Sequence, residues 1–171
     1  MSFWTNSGFE PKQDFKWQVN IEYKNGSLPS FYAKSAKKPS FSVNMKTYKL
    51  VNREIRQPQN LTWEPIEIVF IDTIDSKITS FIKEYLKETK YSNISEKSLT
   101  NTTTSKVGSN SFLSSVEIQQ LDSTGKPVEI WSLYNPQISK FSASDLNYDN
   151  DGLSTYTITI DYDWANIDET A

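Results

Sequence analysis

Apolar and polar residues alternate along much of this chain with the period of two that marks a β-strand with one buried and one wet face. In the stretch 15–23, Phe15, Trp17, Val19, Ile21 and Tyr23 fall on one face, with Lys16, Gln18, Asn20 and Glu22 on the other. The Lys24-Asn25-Gly26-Ser27 segment that follows contains an Asn-Gly pair, which tolerates the positive φ of a tight hairpin turn. A second strand is expected over 31–37. After Pro39 comes a third, in which Phe41, Val43 and Met45 alternate with Ser42, Asn44 and Lys46, so the pattern to this point predicts an antiparallel meander. Near the C-terminus, Tyr156, Ile158, Ile160, Tyr162 and Trp164 occupy even positions while Thr155, Thr157, Thr159, Asp161 and Asp163 occupy odd ones, which predicts one long strand over 153–167.

Other segments depart from strict alternation in informative ways. Residues 66–71 are apolar at Ile66, Ile68, Val69, Phe70 and Ile71, the signature of a strand covered on both faces, with Pro65 at its start. Ile78, Phe81, Ile82, Tyr85 and Leu86 recur at helical spacing, with Lys83, Glu84, Lys87 and Glu88 opposite. This predicts a helix capped by Asp75 or Ser76 and lying across a sheet. Further strands are expected over 112–121, 128–134 and 138–146, with polar turns at Asp122-Ser123-Thr124-Gly125 and Asp149-Asn150-Asp151-Gly152. Two stretches bury nothing. Residues 46–60 concentrate Lys46, Lys49, Arg53 and Arg56 against a single Glu54 and read as a projecting basic hairpin or loop; residues 92–111 are dominated by Ser, Thr and Asn and read as a mobile loop. Some eight strands and one helix define a mainly β (α+β) class, an antiparallel β-sandwich or partly closed barrel with the helix packed on it, in a single domain over residues 1–171.

Composition narrows the chemistry. The chain has no Cys, which removes disulfides, thiolate metal sites and cysteine nucleophiles, and no His, which removes the commonest general base and transition-metal ligand. Its five glycines stand apart, with no phosphate-cradling loop among them. Eighteen Lys and Arg against 21 Asp and Glu leave a net charge of −3, unlike a protein whose task is to neutralise nucleic-acid phosphates. No basic start followed by an apolar core opens the chain, and no apolar run approaches a membrane span, so synthesis and retention in the cytosol, without membrane contact, is expected. Asn147-x-Asp149-x-Asp151-Gly152 matches the first half of a calcium loop, but the position that needs a bidentate carboxylate is Ile158, and a polar turn is the simpler reading. Asp161 and Asp163 share a strand face at a spacing found in some paired catalytic carboxylates; neighbours on one strand point the same way, however, and a hydrated face accounts for them. No cofactor, metal or catalytic residue is expected. The five Trp, nine Tyr and nine Phe leave room for stacking on sugars or bases, although Trp17, Tyr23, Tyr156 and Tyr162 are in phase with core positions.

The C-terminal third combines Trp131, Asn135-Pro136, Leu146 with Tyr148, a polar turn from Asp149 to Gly152, and a closing Tyr162-Asp163-Trp164 cluster. With the opening strand FKWQVNIEY and the strand, basic loop and Trp63-bearing strand of the first half, this pattern resembles the tail tube proteins of contractile-tailed bacteriophages. The resemblance implies a structural, non-enzymatic virion subunit, assembled in the host cytoplasm. Homohexameric rings of it would stack into a tube inside a contractile sheath, with the sheath protein, the baseplate and the tape-measure protein as partners and DNA passing transiently down the bore. It further implies an inter-ring arm formed by Lys46, Tyr48, Lys49, Arg53 and Arg56. Packing anchors would be Trp63, Trp131, Asn135, Pro136, Tyr162 and Trp164, and Asp161 and Asp163 are candidates to face the lumen. A baseplate tube initiator, a tube terminator and a type VI secretion tube protein are alternatives within that resemblance; a carbohydrate-binding β-sandwich module is the alternative outside it.

Overall fold

In the computed structural model, residues 11–89, 112–149 and 151–169 are described. The expected Ser/Thr/Asn-rich loop at 92–111 lies outside them. Eleven strands and one helix follow in the order β1 (Trp17–Tyr23), β2 (Gly26–Leu28), β3 (Ala33–Ala36), β4 (Ser40–Leu50), β5 (Arg53–Glu64), β6 (Ile66–Ile71), α1 (Lys77–Glu88), β7 (Leu113–Leu121), β8 (Pro127–Tyr134), β9 (Gln137–Ala143), β10 (Thr155–Asp161) and β11 (Trp164–Glu169). They make a five-stranded sheet of order β11-β8-β7-β1-β2, a four-stranded sheet of order β3-β6-β10-β9 and a two-stranded ribbon of β4 and β5. Every pairing is antiparallel. The mainly β architecture with a single helix is as expected.

The alternation decides what the sheets enclose. Val19 and Ile21 of β1 sit opposite Ile118 and Val116 of β7, while Ile66, Ile68 and Phe70 of β6 sit opposite Ile160, Ile158 and Tyr156 of β10. These inward faces form one core with Leu28, Leu133, Ile78 and Phe81, nearly all of it excluded from solvent. Helix α1 joins the two sheets. Its Phe81 meets Tyr23 edge-on at 5.0 Å between centroids, Tyr85 packs on Phe112 at 5.3 Å, and the Tyr85 hydroxyl donates to the Ile138 carbonyl at 2.9 Å. Ser76 is the N-cap residue, in the left-handed region at φ 52° and without a side-chain cap bond. The carboxylate of Asp75 accepts from Tyr32 and Thr73 instead, and those bonds, with one from the Lys77 amide, hold its pKa below the ordinary value.

Several expected boundaries move. β1 begins at Trp17, which leaves Phe15 outside the sheet and 74% exposed. The first hairpin turns on Lys24 and Asn25, with Gly26 already paired to Tyr23; neither Asn25 nor Gly26 takes a positive φ. The expected strand over 31–37 shortens to β3, because Ser30–Tyr32 form a 3₁₀ turn that carries the chain from one sheet to the other, so the meander ends at β2. β6 is fully covered on one face only, with Glu67 exposed and Val69 and Ile71 half-buried on the other. β9 stops at Ala143, leaving Leu146 in solvent. The single strand expected over 153–167 is two strands in different sheets, broken at Tyr162 and Asp163.

Candidate functional site

The ribbon β4/β5 is the feature with least internal support. β3 pairs with β6, and the same two chain segments run on past Pro39 and Pro65 as β4 and β5, which pair with each other from Ser40 opposite Glu64 to Leu50 opposite Arg53. No residue of either strand is buried, and only Ser40 and Trp63 are half-buried. At ~3.3 Å per residue its eleven and twelve residues reach roughly 35 Å. Pro58 is tolerated because each strand has a side that no neighbour pairs.

A register shift between Val43 and Met45 gives each face of this arm two characters. On one face the root is apolar, with Phe41 opposite Trp63, Val43 opposite Leu61 and Met45 opposite Pro58, and the tip is polar, with Thr47 opposite Arg56 and Lys49 opposite Glu54. On the other face the root is polar, from Ser42 opposite Thr62, and the tip mixes apolar and basic groups, with Lys46 opposite Gln57, Tyr48 opposite Ile55 and Leu50 opposite Arg53. Lys49 lies 3.8 Å from Glu54, and Lys46 sits over the Tyr48 ring at 5.2 Å. The five expected arm residues are therefore gathered on one element but split between its faces: Lys46, Tyr48 and Arg53 on one, Lys49 and Arg56 on the other. Phe41, Val43 and Met45, which alternation alone assigns to one face of a strand, are at least a third exposed, as is Leu61.

Two clusters fix the root of the arm. Trp63 packs on Phe41 at 5.3 Å and on Tyr162 at 5.9 Å, and the Tyr162 hydroxyl donates to the Glu64 carbonyl at 2.9 Å. Glu129 of β8, only 13% exposed at its side chain, accepts from Lys38 at 2.9 Å, from Trp131 Nε1 at 2.5 Å and from Lys12. Burial pushes its pKa up, but the bonds from Lys12, Lys38 and Trp131 outweigh it and hold the carboxyl at about 2. Lys38 lies between β3 and β4, so this clasp ties the base of the arm to the five-stranded sheet. Sequence reasoning missed Glu129, whose two lysine partners are 91 and 117 residues away.

The remaining expected anchors gather where the sheets exchange strands. β8 passes into β9 through Asn135 and a buried Pro136, and β10 passes into β11 through Tyr162 and Asp163. The corners are joined: Asn135 Nδ2 donates to Asp163 Oδ2 at 2.7 Å, and the Asp163 amide donates to the Tyr134 carbonyl at 3.0 Å. Asn135 adopts φ 53°, a conformation that Asn tolerates better than most residues. Trp164 stacks on Tyr134 at 5.2 Å on the outer face, both rings more than 40% exposed. Asp161 ends β10 exposed, and Asp163 belongs to the corner, so the two do not share a strand face. Among the described residues, no group of three or more His, Cys, Asp or Glu could hold a metal ion, and no helix is long and apolar enough to cross a membrane.

The overall fold recurs in solved structures. A chain of the six-fold symmetrised baseplate of the anti-feeding prophage superimposes with a TM-score of 0.70 at 12% identity, over 94% of this chain and 97% of that one. A chain of the sheath/tube terminator of an extracellular contractile injection system, in its extended state, gives 0.68 at 12% identity over 95% and 99%, and one from the sheath–tube complex gives 0.64 at 12% identity over 94% and 93%. No protein-family model and no curated protein sequence matches the chain. The chain thus has a fold found in contractile injection systems, across nearly its whole length.

Proposed function

We propose that this protein is a structural subunit of the tube of a contractile tail, one that forms hexameric rings and stacks them into a conduit, with no catalytic role. The observation that carries the reading is the pairing of that fold, shared over at least 93% of each chain compared, with open strand edges and an exposed apolar arm. β11 and β9 each have one paired neighbour, and β4 and β5 have only each other. A solitary protein blunts such edges, whereas a ring pairs them with the next copy, and a closed cycle of head-to-tail contacts leaves none open. The six-fold symmetrised assembly of one fold relative supports a hexamer. Partners on this reading are further copies along the tube, a contractile sheath protein, a baseplate and a tape-measure protein, in a phage tail assembled in the host cytoplasm.

DNA as the cargo is supported by charge. None of the five strands of the β11-β8-β7-β1-β2 sheet contains Lys or Arg. Its outer face carries Gln18, Asn20, Glu22, Glu117, Ser132 and Asn166, with Ile130 and the exposed Tyr134–Trp164 pair toward the β11 edge, and Gln18 donates to the buried Gln119, which donates to Glu117 at 3.1 Å. A face whose polar groups are amides, hydroxyls and carboxylates holds no cation to trap a phosphate, so a polyanion slides along it. Asp163 adjoins the rim of this face, next to Tyr134.

Electron microscopy of the purified chain at high concentration tests the reading: rings and stacked tubes are expected, and a persistent monomer contradicts it. A terminator is the second reading, favoured by the fold likeness to a sheath/tube terminator, and it predicts single rings that do not elongate.

A further inference from the structure

The charge of this chain is segregated. Both of its arginines, with Lys46 and Lys49, lie on the arm, while every charged residue after Lys140 is acidic. The topology places these two groups at opposite ends of the four-stranded sheet. The arm enters at Ile66 of β6, opposite Ile160 of β10; the other end of the same pairing is Ile71 opposite Thr155. Beyond that second end lies the β9–β10 connection, closed by Ser144 amide to Thr155 carbonyl at 2.8 Å and Asp72 amide to Ser154 carbonyl at 2.9 Å. Its described residues expose three large apolar side chains, Leu146, Tyr148 and Leu153, the first two almost completely, among the exposed carboxylates of Asp145, Asp149 and Asp151. A pocket of about 130 Å³ opens between residues 144–147 and 152–154.

The arm tip has the complementary character. Val51 at its turn is fully exposed, Leu50, Tyr48 and Ile55 flank it, and Lys46, Lys49, Arg53 and Arg56 surround them. Each surface alone leaves apolar groups in water beside a surplus of one charge sign, Glu54 being the single carboxylate of the arm tip. Together they satisfy both the hydrophobic and the electrostatic requirement.

We propose that the β9–β10 connection is the receptor for the arm tip of a second copy of this chain, in the next ring of the stack. The inference rests on the tube reading and supplies the partner surface that reading leaves open. Copies related by translation along the β6/β10 axis bring the tip of one against Leu146, Tyr148 and Leu153 of the next, with Val51 directed at the pocket and the basic residues against Asp145, Asp149 and Asp151. The contact is heterologous, since each copy offers an arm at one end and a receptor at the other, and such a contact propagates without closing. Screening makes it weaken with added salt.

Charge exchange tests it on the full chain. Arg53→Glu with Arg56→Glu, and separately Asp145→Lys with Asp149→Lys, are each expected to abolish stacked tubes in sedimentation and electron micrographs, and the four changes in one chain are expected to restore them. A wild-type chain that never stacks overturns the tube reading and this inference with it. Stacking by wild type, loss by the arm variant and wild-type behaviour of the receptor variant overturn the inference alone, as does failure of the fourfold variant to recover while its melting temperature matches wild type. Because the chain has no Cys, a mixture of Val51→Cys and Leu146→Cys proteins gives a direct second readout: oxidation should yield a disulfide-linked heterodimer under stacking conditions, and its absence there contradicts the contact.

Discussion

At the scale of single residues, the chain commits its unusual chemistry to joints. Asn135 is the clearest case: at φ 53° a residue with an ordinary Cβ is strained by about 1–2 kcal/mol, and its side chain also bonds the second corner through Asp163. Asn135→Ala is therefore expected to lower unfolding stability by about 2 kcal/mol in denaturant titration, with Asn135→Gly losing less because Gly accepts the backbone geometry. Glu129 is the second case. Its folded pKa of about 2 lies below the ordinary 4.5, so the clasp contributes stability fully above pH 4.5 and loses it as pH falls through 2. Glu129→Gln should flatten the pH dependence of the melting temperature between those limits; a variant as acid-sensitive as wild type would show that the clasp carries none of it. The bonding at neither joint was legible from sequence. Asn135-Pro136 reads as a turn, but nothing local says that Asp163 lies beside it, and Glu129 looks like any polar residue in an alternating strand.

Among the elements, alternation gave the faces of β1 and β10 correctly because each pairs a core face with a wetter one, and helical spacing located α1. Period two records which face a residue takes but not which sheet a strand joins, so the exchange at Tyr162 and Asp163 left no mark in the pattern 153–167. The pattern leaves the extent of the arm open, a basic hairpin or loop over 46–60 rather than a ribbon from Ser40 to Glu64, for a related reason. Its apolar positions run Phe41, Val43, Met45 and then Tyr48 and Leu50, a change of face at Lys46 that imitates the end of a strand when it marks a ribbon with a different apolar patch on each side. Two outcomes follow at this scale. Phe81→Ala removes the aromatic that joins α1 to Tyr23 and Phe112 and should cost about 3–5 kcal/mol of stability. Arg53→Glu with Arg56→Glu, on fully solvated strands, should leave the melting temperature of the isolated subunit within error of wild type while shortening or abolishing tubes; unchanged tube length would remove the arm from the stacking contact.

For the molecule as a whole, the difficulty is a surplus of unmet surface. A core built from two sheets and one helix coexists with exposed Phe41, Met45, Tyr48, Leu50, Ile55 and Trp164, and with sheet edges that end in open backbone. On the proposed tube reading, stability and function belong to the assembly, and the edges that would close a ring would template aggregation in a protein meant to remain alone. The measurement that bears most directly on this is the state of the purified full-length chain as its concentration is raised, followed by analytical ultracentrifugation and electron microscopy. The tube account predicts ring-sized species that give way to stacked tubes at high concentration and low salt. A monodisperse monomer at millimolar concentration, under the same conditions, would contradict it.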